Sequence, residues 1–152
     1  MRTSVFVGVS VDGFSARPEG ELDFLDAGGG EPHGYDEFIA TVDAIVMGAK
    51  DLRDTAVSRG GRVEQMSGPP ADIVAALSGR GVQHVYVDGG VTIQGFFRAG
   101  LVDRLVITRV PVLIGRGIPL FGSLPQDVLL RHVATKAFRG GLVQSEYEVS
   151  AA

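Results

Sequence analysis

No cysteine occurs in the 152 residues, and that absence removes disulfides, thiolate zinc sites and thiol nucleophiles together. It is compatible with a cytosolic protein. No excess of base exists either: 14 Lys and Arg stand against 18 Asp and Glu, scattered, for a net charge of −4. No basic stripe argues for nucleic acid, and no basic amphipathic helix argues for a membrane surface. Long apolar runs are also missing, and Met1 to Val7 lacks the apolar core and cleavage site of a signal peptide. The expectation is a soluble cytoplasmic protein whose partner is a small molecule. The three histidines, His33, His84 and His132, are widely spaced and none sits beside a matching ligand pair, so each reads as a surface or sheet residue and no metal site is expected.

What the chain does have is 45% hydrophobic residues, enough for one core, and a length that predicts one domain over 1–152. Its organising stretch is His84 to Phe97. A short apolar run, His84-Val85-Tyr86-Val87-Asp88, breaks at Gly89-Gly90 and resumes with Ile93, Phe96 and Phe97 at helical spacing. A helix that starts directly after a strand aims unpaired N–H groups and its positive dipole end beyond the strand's carboxyl end. Glycines let a phosphate approach that backbone, so Gly89-Gly90 followed by Thr92 reads either as a diphosphate cradle or as a simple chain reversal.

Before this stretch, Val5 to Val11 reads as a central strand covered on both faces, with Gly8 marking close approach by a ligand or another backbone. It ends at Asp12-Gly13, where Asp12 is weighted toward turn formation over chemistry. Phe14 to Gly34 reads as loop, with Leu22, Phe24 and Leu25 either covering a ligand or anchoring the loop. Tyr35 to Val42 reads as a helix whose Asp36 and Glu37 suit its first turn; the alternative role for Asp36 is proton donor or substrate ligand. Ala44 to Gly48 is a second buried strand. Asp51 to Gly68 is polar, with one strand candidate at Arg62 to Met66, and Ala71 to Leu77 is a helix.

Val102 to Val110 makes a further strand, Pro111 to Phe121 an apolar loop, and Val128 to Lys136 with Leu142 to Val149 a hairpin across Arg139-Gly140-Gly141. Alternating strands and helices predict an α/β fold: a mostly parallel sheet, helices on both faces, and a C-terminal antiparallel hairpin. Ligands of such sheets sit beyond the strands' carboxyl ends, where Asp12-Gly13, Gly48 and Gly89-Gly90 converge. The hairpin and the Pro111 to Phe121 loop would leave apolar surface exposed on a small monomer, so a homodimer is expected.

Several stretches in this order resemble one family. They are Ser10-Val11-Asp12-Gly13-Phe14-Ser15-Ala16, Ile45-Val46-Met47-Gly48, Val87-Asp88-Gly89-Gly90, Leu101-Val102-Asp103-Arg104-Leu105, Pro111 to Phe121 and Gly141 to Tyr147. The chain is similar to the dihydrofolate-reductase-like fold and, within it, to the reductase domain of riboflavin biosynthesis and its stand-alone bacterial relatives. That resemblance implies NADPH as cofactor. It places Gly89, Gly90, Val91, Thr92 and Ile93 at the diphosphate, Gly48 and Lys50 near the adenosine side, and Gly8, Ser15 and Ala16 facing the nicotinamide. It further implies an oxidoreductase that passes a hydride to a C=N or C=O carbon of a pyrimidine- or pterin-like substrate, as in 5-amino-6-(5-phosphoribosylamino)uracil reductases. Asp36, on the helix before the second strand, corresponds to the region from which dihydrofolate reductases supply a carboxylate.

Two departures stand out. Gly48 is followed by Ala49-Lys50-Asp51 where family members have an arginine and a threonine, which puts NADPH preference over NADH in question. Asp51 to Gly61 is too short for the helix and strand that relatives carry there. Because Val63 to Met66 would otherwise show an unpaired edge, a missing segment is expected rather than a lost strand. The rival from another class is a nucleotide-binding or scaffold protein of this fold without turnover.

Overall fold

A computed structural model describes residues 1–48 and 55–150. Among the described residues, ten strands form two sheets. β1 (Arg2–Ser10), β3 (Ala44–Gly48), β6 (His84–Asp88) and β7 (Arg104–Val110) are parallel and central in an eight-stranded sheet ordered β5-β4-β3-β6-β1-β7-β10-β9. β4 (Thr55–Arg59) and β5 (Arg62–Met66) extend one side as an antiparallel hairpin. β9 (Leu130–Ala137) and β10 (Val143–Val149) extend the other. A small second sheet pairs β2 (Phe14–Ala16) with β8 (Ile118–Pro119).

Side-chain alternation decides what each face meets. Val5 and Val9 of β1, Val46 of β3, Val85 and Val87 of β6 and Leu105 of β7 pack in one cluster with Ile73 and Leu77 of α2 (Pro70–Gly79) and Ile93, Phe96 and Phe97 of α3 (Gly90–Arg98). The opposite face carries Phe6, Tyr86 and Val106 against Phe38 of α1 (Tyr35–Ile39). The result is three layers. Pro70 opens α2, where a missing N–H costs nothing.

Three regions differ from the expectation. The polar stretch after Lys50 holds a second strand: β4 lies between β3 and β5, so Arg62 to Met66 has its neighbour and the reason for expecting a missing segment falls away. Phe14 to Gly34 is not all loop, because it contains β2 and a six-residue 3-10 segment, Asp23–Gly28. The Pro111 to Phe121 loop likewise includes β8, whose sheet partner, β2, is more than a hundred residues earlier.

Candidate active site

β6 ends at Asp88, and Gly89 reverses the chain into α3 at φ +93° and ψ +128°, a conformation that a residue with Cβ adopts only under strain. The Ile93 N–H reaches back to the Gly89 carbonyl at 2.9 Å, which starts the helix. The N–H groups of Gly90, Val91 and Thr92 are thereby left without intrahelical partners. No side chain caps them among the described residues, and the first turn holds no carboxylate. The helix dipole adds positive potential to the same spot.

The surroundings hold this turn tightly. A Cβ on Gly48 would overlap the Thr92 hydroxyl, so the end of β3 passes directly against the first turn of α3. A Cβ on Gly90 would lie 2.6 Å from Ser15 Oγ and 2.9 Å from Ile118 Cγ2. The β2–β8 ribbon therefore sits over the helix start. Ser15 Oγ donates to the Ile118 carbonyl at 3.2 Å, and Gln94 Nε2 donates to the Pro119 carbonyl at 2.7 Å.

Asp12 fixes the adjoining loop. Its carboxylate accepts from the N–H groups of Gly115 at 2.8 Å and Ile114 at 3.3 Å, bridging the end of β1 to the segment after β7. The Ser10 hydroxyl first, and then these two amides, hold its carboxyl below the usual carboxylate range. Its surroundings are those of a tether.

The residues singled out in the sequence divide by location. Gly48, Gly89, Gly90, Val91 and Thr92 surround one turn, with Ser15 and Ala16 beside it. Ile93 belongs to that turn only through its backbone, because its side chain is 1% exposed in the core. Gly8 is approached by a side chain: Leu25 Cδ2 lies 2.9 Å from where a Cβ would stand, so a leucine occupies the space over that strand. Lys50 lies outside the described residues. Asp36 is exposed on α1, whereas its neighbour Glu37 lines a cleft on the far side of that helix.

One cluster was not anticipated. On the α1 face at the end of β6, the buried Tyr86 hydroxyl donates to the Phe6 carbonyl at 3.2 Å, and Tyr35 lies edge-on to the Tyr86 ring. Burial first, then the Asp88 carboxylate and Tyr35, push the Tyr86 phenol far up, so it stays a proton-bearing donor. Asp88 accepts the Gly89 N–H at 2.9 Å. The visible signal was an acidic residue ending an otherwise apolar strand.

Residues 55–144 match the RibD C-terminal domain family. The chain belongs to that family. It is 29% identical over 178 aligned positions to YwjB of Bacillus subtilis, spanning 96% of this chain and 97% of that protein. A crystal structure of a protein assigned to riboflavin biosynthesis in Shewanella sp. PV-4 superposes with a TM-score of 0.87 at 31% identity, covering 99% of this chain and all of that one. The deaminase/5-amino-6-(5-phosphoribosylamino)uracil reductase of Thermotoga maritima shares the fold at 13% identity, with a TM-score of 0.67; the match covers 98% of this chain and 56% of that one. This is the dihydrofolate-reductase-like fold in its riboflavin-biosynthesis form, as the sequence motifs implied.

Proposed function

We propose that the chain is an NADPH-dependent oxidoreductase of the riboflavin-biosynthesis type, reducing a C=N or C=O carbon of a pyrimidine- or pterin-like substrate. The observation that carries this reading is the turn at Gly89: three amides at a helix start without partners among the described residues, with glycines at 48, 89 and 90 where side chains would collide or strain the chain. A dinucleotide's diphosphate matches that donor set. Gly90, Val91 and Thr92 would hold it through their N–H groups, the Ile93 N–H closing the helix behind them. Gly48 would face the adenosine side, and Ser15 and Ala16 would flank the reactive end. When bound, NADPH supplies a hydride, so the protein needs to provide position, electrostatics and a proton.

Gly8 joins the site only when Leu25 moves off it. For the proton, Asp36 is the carboxylate suggested by the fold family, but it faces solvent on α1. Asp88 is the second candidate: it stands one residue past the Val5–Val87 pair, on the face that carries Phe6 and Tyr86. Leu25 over Gly8 also supports a second reading, a nucleotide-binding protein of this fold without turnover.

Titration with NADPH, followed by the nucleotide's fluorescence, is expected to show saturable one-to-one binding, with weaker binding of NADH. No affinity for either would overturn both readings. With binding established, loss of reduced-nicotinamide absorbance on adding pyrimidine or pterin substrates supports the enzyme; its absence across that class supports the second reading.

A further inference from the structure

Alternation along β1 turns Phe6, Gly8 and Ser10 toward the α1 face, and at the middle position the missing Cβ leaves the strand backbone bare. Leu25 fills that gap. Its Cδ2 and Cδ1 atoms lie 2.9 and 3.5 Å from the point where a Cβ on Gly8 would stand. Leu25 itself is only partly buried, and among the described residues neither core cluster takes it in. Its removal would empty no core position.

The contacts on either side of Leu25 in the 3-10 segment Asp23–Gly28 are firmer. Phe24 is 4% exposed, with the Arg17 guanidinium 5.7 Å from its ring centre, and Arg17 Nε donates to Asp23 Oδ1 at 2.7 Å. Gly28 is buried against the turn between β9 and β10. A Cβ on Gly28 would overlap the Leu142 side chain, and a Cβ on Gly140 would overlap the Gly28 carbonyl. The segment is thus pinned before and after Leu25. Rotation about the leucine's own side-chain bonds clears Gly8 and leaves both pins in place.

We propose that Leu25 is a specificity-determining gate of the nucleotide site: it rests on Gly8 in the free chain and swings away, with Phe24 and Gly28 fixed, to admit a flat ring against the strand. This inference rests on the nucleotide-binding reading and adds that the two halves of a dinucleotide meet different resistance. The diphosphate finds the amides of Gly90, Val91 and Thr92 free of intrahelical partners, whereas the ring finds its place filled. A nucleotide carrying the ring therefore binds a minor conformation, and its apparent affinity falls by the fraction of chains in which Leu25 has moved. A nucleotide without the ring escapes that reduction.

Calorimetric titration of the full chain with NADPH and with 2′-phospho-ADP-ribose, the same molecule lacking nicotinamide, compares the two halves. Leu25→Ala is expected to tighten NADPH binding about fivefold or more and to leave 2′-phospho-ADP-ribose binding unchanged. If 2′-phospho-ADP-ribose binds but Leu25→Ala holds NADPH no more tightly than the wild type does, the gate is overturned and the nucleotide reading stands. A wild-type chain that binds neither molecule removes the reading and the gate with it. Should Leu25→Ala fail to fold, the wild-type chain with isotope-labelled leucine methyl groups decides the matter. The Leu25 methyl resonances are expected to shift with NADPH and to stay in place with 2′-phospho-ADP-ribose; any other pattern overturns the gate.

Discussion

The four parallel strands and the C-terminal ribbon belong to one sheet, yet they sit in different surroundings. β1, β6 and β7 are covered on both faces, and most of their side chains are buried. Every residue of β9 is exposed. Buried parallel strands need helical crossovers, and the turns into and out of those helices form the site; an antiparallel pair needs only a hairpin, so it brings no cover with it. The glycine turns thus lie at the carboxyl ends of the covered half of the sheet, and exposed apolar side chains lie on the bare half.

The largest way to break this contrast is to remove a side chain from each half. Phe96→Ala empties a position that is 1% exposed beneath α3 and is expected to cost about 3–5 kcal/mol in urea unfolding. Leu130→Ala on the ribbon, at a position 41% exposed, is expected to stay within about 0.5 kcal/mol. Equal losses would mean that the ribbon is packed within the monomer.

A narrower test compares two glycines in α3. Gly90→Ala drives a methyl group into Ser15 and Ile118 and is expected to weaken NADPH binding about tenfold or more, or about 1.4 kcal/mol. Gly95→Ala finds its nearest neighbours at 3.8 and 3.9 Å, so it is expected to leave binding unchanged and gain about 0.5–1 kcal/mol of stability from helix propensity. Equal binding by both variants would remove the helix start from the nucleotide site.

The same contrast explains what could be read from the sequence. β1, β3, β6 and β7 were legible because strands buried on both faces must be apolar throughout, and glycines mark where they turn. β4 was hidden because Thr55-Ala56-Val57-Ser58-Arg59 is mixed in polarity. Its clearest signal was Gly60-Gly61, both with positive φ, joining antiparallel strands as a two-residue hairpin turn does. β2 and β8 are held by pairing across about a hundred residues, which no local pattern records. Gly8 announced a close approach but not that Leu25 makes it, and the meeting of Tyr35, Tyr86 and Asp88 depends on α1 lying across β6. Local chemistry located the turn; long-range packing decided what surrounds it.

The smallest expected effect distinguishes two kinds of held carboxylate. Asp12 is held by the Ser10 hydroxyl and two backbone amides, whereas Asp23, Glu64 and Glu148 are held chiefly by Arg17, Arg80 and Arg131. All four carboxyls lie below their ordinary values in the folded chain. The unfolded chain therefore takes up protons first, and the stability these groups contribute is present above the ordinary carboxylate range and is lost as pH falls through the lower folded values. Salt screens the arginine pairs but not a neutral hydroxyl or amide. The contribution of Asp12 is thus expected to survive high salt while that of the other three shrinks. Asp12→Asn should flatten the acid limb of a stability-versus-pH curve measured in high salt, and Glu64→Gln should flatten it only in low salt. If the two variants respond alike to salt, Asp12 is not held by the loop amides, and the bridge from β1 to the segment beside the ribbon over α3 is not what orders that loop.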